Sequence, residues 1–191
     1  MVSKWPAGSF LGVTAALLCT VVPSLSLADT DDALLAQSRE ITSRFAGELQ
    51  QALQQAIATG GPVAAISVCK DVAPQIASRL SRQSGAKVSR TSLRFRNPGN
   101  APEPWQKVVL AGFDSYPGNS TPPDFFERNG NNEARYMRAI PTGVLCLACH
   151  GTLLADGVRQ QLDRDYPHDL ARGYQAGDIR GAFSVTWPAV D

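Results

Sequence analysis

The sequence predicts one domain that mixes helices with strands, and two observations carry that prediction. Through the first third of the chain, apolar residues recur at helical spacing: Leu34, Leu35, Ile41, Phe45, Leu49, Leu53 and Ile57. Three later stretches, 87–96, 133–140 and 178–187, read instead as strands. No internal repeat and no second domain are visible.

Taken in order, the amphipathic pattern from Asp31 to about Thr59 is a helix. Asp29, Asp31 and Asp32 sit at its start, where the helix dipole favours negative charge, and Gly60-Gly61 ends it. At 1.5 Å per residue it runs roughly 40 Å. It either packs along its own domain or extends beyond it as a dimer contact or signalling stalk. Pro62 opens a second helix, Val63 to about Val72, with Cys69 in its last turns. Pro74 leads a third, Gln75 to Gln83, before a turn at Ser84-Gly85. Lys87 to Arg96 is a half-buried strand, with Thr91, Leu93 and Phe95 on one face and Arg90, Ser92, Arg94 and Arg96 on the other. A Pro- and Asn-rich loop follows, then a short helix from Trp105 to Phe113. Tyr116 to Asn132 reads as a long irregular connection. Glu133 to Ile140 is a strand, Gly157 to Asp163 a helix and Asp178 to Trp187 the final strand.

Residues 1–28 read as a secretory signal: Lys4 early, an apolar run from Phe10 to Val22, then small residues at Ser26 and Ala28 before acidic sequence. An uncleaved anchor is the alternative, but the run is short for a span and Pro23 interrupts its end. Cleavage after Ala28 discards Cys19 and leaves 163 residues, 29–191, enough for one domain with a real core. It also removes Lys4, so 17 basic residues face 17 acidic ones. A neutral protein has no electrostatic reason to bind nucleic acid or an anionic membrane. Export places the mature chain in the periplasm of a bacterial cell.

Cys146-Leu147-Ala148-Cys149-His150 carries the chemistry. Two cysteines separated by two residues and followed at once by histidine form the attachment signature of a c-type haem. Each thiol adds to one porphyrin vinyl group, and the imidazole lies against the iron. A zinc half-site and a thioredoxin-like redox pair share the C-x2-C spacing. Covalent haem attachment in bacteria takes place outside the cytoplasm, so signal and motif support one another. The implied cofactor is one covalent haem c, and the three arginines of 87–96 are either a solvated face or partners for its propionates.

Ligand arithmetic then narrows the sixth iron position. If Cys146 and Cys149 are thioethers, Cys69 has no partner for a disulfide. It is either a buried small hydrophobe or a thiolate ligand. Met137, in an alternating stretch, and His168, in a charged segment, are the other candidates, more simply read as core and as exposed loop.

Four separated stretches together resemble one family, the exported haem-binding domain long catalogued as a domain of unknown function and found alone or as the sensor portion of bacterial signalling proteins. They are Ala65-Ile66-Ser67-Val68-Cys69-Lys70-Asp71-Val72-Ala73-Pro74; Arg90 to Pro102; Cys146 to Gly151; and Tyr166-Pro167 with Gly173-Tyr174 and Gly177 to Ser184. Gly99 departs from the family's usual small residue such as Ala. The resemblance implies an α+β, PAS-like fold, with an antiparallel sheet flanked by helices, and a haem ligated by the motif histidine and a cysteine before the sheet. Those roles carry over to His150 and Cys69.

A thiolate favours ferric iron and lowers its potential. Two functions fit such ligation: a sensor of redox state or a diatomic gas, in which Cys69 leaves on reduction, or a low-potential periplasmic electron carrier. Neither is an enzyme, since peroxidase-like chemistry needs an open site with acid/base residues. A sensing role needs a separate redox or signalling partner protein, and a homodimer is compatible with the long first helix.

Overall fold

The computed structural model describes residues 1–2, 27–115 and 121–189, so the expected signal segment lies almost wholly outside the described residues. Helix α1 (Leu27–Ser67) kinks at Gly61, where φ 71° and ψ −173° leave the helical region, and Pro62 follows inside it. The glycine pair therefore bends the helix where an end was expected.

The next expected boundary is absent. Val68–Val72 form a single π-helical turn, in which the Ala73 N–H reaches back to the Val68 carbonyl, and α2 (Ala73–Ser84) continues from it. Pro74 falls in the first turn of α2, where a missing N–H costs no hydrogen bond. Cys69 thus stands on a π-turn rather than in the last turns of an α-helix. Such turns are rare and concentrate at functional sites.

Four antiparallel strands, β1 (Lys87–Thr91), β2 (Asp124–Arg128), β3 (Ala134–Pro141) and β4 (Ile179–Trp187), form one sheet in the order β1-β4-β3-β2. Two differ from expectation. β1 stops at Thr91, so Arg94 and Arg96 leave the sheet and Leu93, expected on the buried face, is exposed. β2 lies inside the expected irregular connection. Adjacent Phe125 and Phe126 carry no alternation, and it pairs because β3 offers an open edge, in the register Phe125↔Met137 and Phe126↔Tyr136.

Helix α3 (Pro104–Asp114) covers one sheet face, packing Leu110 and Phe113 on Met137 and Ala182. Helices α1 and α2 cover the other, packing Phe45, Leu49, Ile76 and Leu80 on Tyr136, Phe183 and Val185. Fully burying one such side chain is worth about 1.5–3 kcal/mol, so these clusters hold the layers together. The result is the expected α+β, PAS-like architecture with a long N-terminal helix.

By length and composition alone, residues Thr30–Ser84 pass for a membrane span, as core helices of soluble proteins also do. Here α1 is tied along its own domain. Arg39 pairs with Asp124 at 2.7 Å, Arg128 donates to Asp31 at 2.8 Å, and the Trp187 indole donates to Ser38 at 2.9 Å. Two short helices, α4 (Leu147–His150) and α5 (Asp156–Asp165), complete the chain beside α1.

Candidate haem site

The cysteine motif is built on consecutive turns. Val144–Cys146 form a 3-10 turn that runs directly into α4, leaving Cys146 and Cys149 three residues apart on one face. The turn after His150 is tight: a Cβ on Gly151 would lie 2.6 Å from the Leu147 carbonyl oxygen, so only glycine fits. Backbone donors from Gly173 and Tyr174 hold the carbonyls of Gly151 and His150, each at 2.9 Å.

The imidazole of His150 is oriented from behind. Its Nδ1 lies 2.8 Å from the Ala171 carbonyl oxygen. A carbonyl can only accept, so Nδ1 carries the hydrogen and Nε2 keeps the lone pair that a metal requires. Burial pushes the ring well below its ordinary pKa of 6.5, reinforced by Arg180 and Arg96. His150 is therefore neutral, which is its ligating form.

Arg96 braces the same segment. Its guanidinium donates to the carbonyls of Cys149 at 2.6 Å and Ala171 at 3.2 Å, and to Asp169 at 3.0 Å. The Arg96–Asp169 pair is buried, with side chains 9% and 1% exposed. Arg96 is thus committed to protein partners.

Cys69, Cys146 and Cys149 are free, half-buried thiols. Cys69 faces Arg90 and Tyr166. Burial and then the neighbouring sulfur push the Tyr166 hydroxyl up to about 12, and burial raises the Cys149 thiol. Arg90 lies over the Phe45 ring at 5.9 Å, so this part of the predicted arginine face points inward rather than to solvent.

Two adjoining cavities share Cys69, Arg90, Arg96, His150 and Arg180. One, about 530 Å³, is apolar, with Leu49, Leu53, Ile57 and Ile66 beside both motif thiols. The other, about 550 Å³, is polar, with Ser92, Asn97, Asn100 and Tyr166. Within the polar cavity the Arg180 Nε and Thr91 Oγ1 are buried without a hydrogen-bond partner. Buried polar atoms left so are met by water or by a ligand.

Haem c has the matching asymmetry, a vinyl edge that takes two thiols and an anionic propionate edge. An imidazole nitrogen and a sulfur face the space between the two edges. The residues present fit that group. Among the described residues no three His, Cys, Asp or Glu side chains are grouped to hold a metal ion, as a closed zinc site demands.

Of the sequence candidates, the cavities bring together Cys69, Cys146, Cys149 and His150. Met137 is fully buried on the α3 side of the sheet, and His168 is exposed and lines neither cavity. Arg94 stacks on Tyr174 at 4.4 Å. Sequence reasoning missed Arg180 and the Asp169–Ala171 brace. An arginine opening the otherwise apolar final strand was the available signal for the first. A main-chain acceptor such as the Ala171 carbonyl leaves no signal.

The family model described as Tll0287-like matches residues 25–188. A solved structure, the crystal structure of the cyanobacterial heme-protein Tll0287, is 25% identical, with a TM-score of 0.67, over 83% of this chain and 97% of that one. No curated protein matches.

Proposed function

The chain belongs to the Tll0287-like family, and from that premise we propose that it is an exported protein with one covalent haem c, serving as a redox or diatomic-gas sensor. In this reading Cys146 and Cys149 would carry the thioethers, and His150 and Cys69 would ligate the iron. One observation carries it: a sulfur from the π-turn and an imidazole with its Nδ1 already committed line the same cavity as the two motif thiols. A haem there supplies an iron that exchanges one electron and, with a position open, takes a diatomic gas.

The chain's own part is positional. The Ala171 carbonyl keeps His150 in one tautomer, while Leu49, Leu53 and Ile57 exclude water from the apolar edge. Cys69 is the element that reports. Standing on the π-turn that joins α1 to α2, Cys69 would hold the iron from the helical side, so a change in that contact would reach both helices. The module is not itself an enzyme and passes the change to a redox or signalling partner.

A second reading, a low-potential periplasmic electron carrier, is favoured by exposed Val144 and Leu153 flanking the motif, 81% and 92% exposed. Apolar residues beside a redox centre suit brief docking. Absorption and EPR spectra of the exported protein in both oxidation states, with CO and NO added after reduction, decide between the two. Loss of sulfur ligation with rapid gas binding supports sensing; an unchanged ligand set with fast electron self-exchange supports the carrier. A colourless mature protein of bare polypeptide mass sinks both.

A further inference from the structure

The polar cavity carries more positive charge than the protein balances. Arg90, Arg94, Arg96 and Arg180 line it, and no Asp or Glu lines either cavity. One of the four guanidiniums has an ion pair, and a second is exposed and turned onto a ring. Arg96 is paired with Asp169, and Arg94 lies on the Tyr174 ring while donating to the Leu170 carbonyl at 3.2 Å. Arg90 lies over the Phe45 ring and faces the Cys69 sulfur but meets no carboxylate among the described residues; Arg180 meets none either, and its Nε is buried without a partner. Drawing two such half-buried charges partly out of water is costly unless anions meet them.

We propose that Arg90 and Arg180 are the two cations that bind the haem propionates, Arg96 and Arg94 being engaged elsewhere. The assignment rests on the haem reading above. It follows from three matches. Neither Arg90 nor Arg180 meets a protein carboxylate, and the haem brings two; both arginines border the polar cavity; and the motif thiols that fix the vinyl edge line only the apolar one. Arginine suits the task because its planar fork meets a carboxylate with two parallel hydrogen bonds.

The backbone explains how Arg180 comes to face the cavity. Ile179 and Ala182, three residues apart, both pack on the α3 side, so strict alternation breaks between them. The break coincides with the slip in β3–β4 pairing from Ala139↔Ala182 to Pro141↔Ile179. It turns Arg180 to the face of Phe183, the side of α1 and Arg90.

The test uses the haem-loaded chain and its Arg90→Leu, Arg180→Leu and Arg180→Lys variants, with covalent haem verified by mass. The propionate bending bands of the resonance Raman spectrum are followed against pH together with the midpoint potential. In the wild type the bands stay fixed across the neutral range. Each leucine variant shifts them and gains a potential that falls as pH rises, because a propionate without its partner now titrates there; Arg180→Lys restores most of the wild-type profile. Bands and profile unchanged in both leucine variants, haem being bound, overturn the assignment. So does a change confined to the thiolate EPR signature, which would put the arginines on the Cys69 sulfur instead. If the leucine variants do not accumulate, wild-type propionate bands that move with neutral pH overturn it, and fixed bands with an intermediate Arg180→Lys profile support it. A wild type without covalent haem overturns the underlying reading rather than this one.

Discussion

Arg96 and His150 share one acceptor: the Ala171 carbonyl takes the guanidinium at 3.2 Å and the imidazole Nδ1 at 2.8 Å. Arg96 also holds the Cys149 carbonyl, one residue before the histidine. An arginine just beyond the end of β1 therefore holds the two main-chain points that place the ring, and the Ala171 carbonyl fixes its tautomer.

Breaking this brace should be costly. In Asp169→Asn the buried Arg96 guanidinium loses its carboxylate, and such losses run to about 3–5 kcal/mol; Arg96→Leu should cost less, since Asp169 keeps Arg172 at 2.7 Å. Urea midpoints of the two variants against wild type measure it. A change within a few tenths of a kcal/mol would show that the pair does not bear on stability.

Acid should unfold the haem-free chain in two stages. Burial lowers His150 below its ordinary 6.5, so its folded value lies under its unfolded one, and stability present above about pH 6.5 is lost as pH falls. Burial alone would raise Asp169, but hydrogen bonds from Arg172 and Arg96 outweigh it and hold the carboxyl below 3.8. Its contribution is present above that value and lost as pH falls through the lowered one. Urea titrations over a pH series should show both steps. Asp169→Asn should lack the lower one.

Iron ligation separates three candidates cleanly. Cys69→Ser should keep haem attached through Cys146 and Cys149 while the low-spin thiolate spectrum disappears. Met137→Leu, buried away from the cavities, and His168→Ala, exposed, should leave the spectrum alone. The methionine swap conserves volume and should cost less than about 1.5 kcal/mol. An unaltered spectrum in Cys69→Ser would make that residue a packing cysteine.

Gly181 should tolerate nothing larger. Its φ is 154°, and a Cβ there would stand 2.5 Å from the Thr91 carbonyl oxygen, where β4 crosses the end of β1. Gly181→Ala should destabilise the chain by about 1–3 kcal/mol and, because Arg180 is its neighbour, disturb the polar cavity. Thermal unfolding with a resonance Raman spectrum of the loaded variant reads both effects.

The long helix, the three alternating strands and the cysteine motif were legible in the sequence, because each depends on residues a few positions apart. Helical and strand periodicity and covalent spacing are local quantities. What the fold alone decided depends on residues far apart in the chain. Edge strand Asp124–Arg128 exists because β3 had an open side; Cys69 stands on a π-turn because the helix runs on through Pro74; and the arginines part company because β1 ends at Thr91. That early end sends Arg96 inward to Asp169, 73 residues away, while the slip beside Gly181 turns Arg180 into the cavity. No periodicity records these events, since each is settled by what a segment meets in the folded chain.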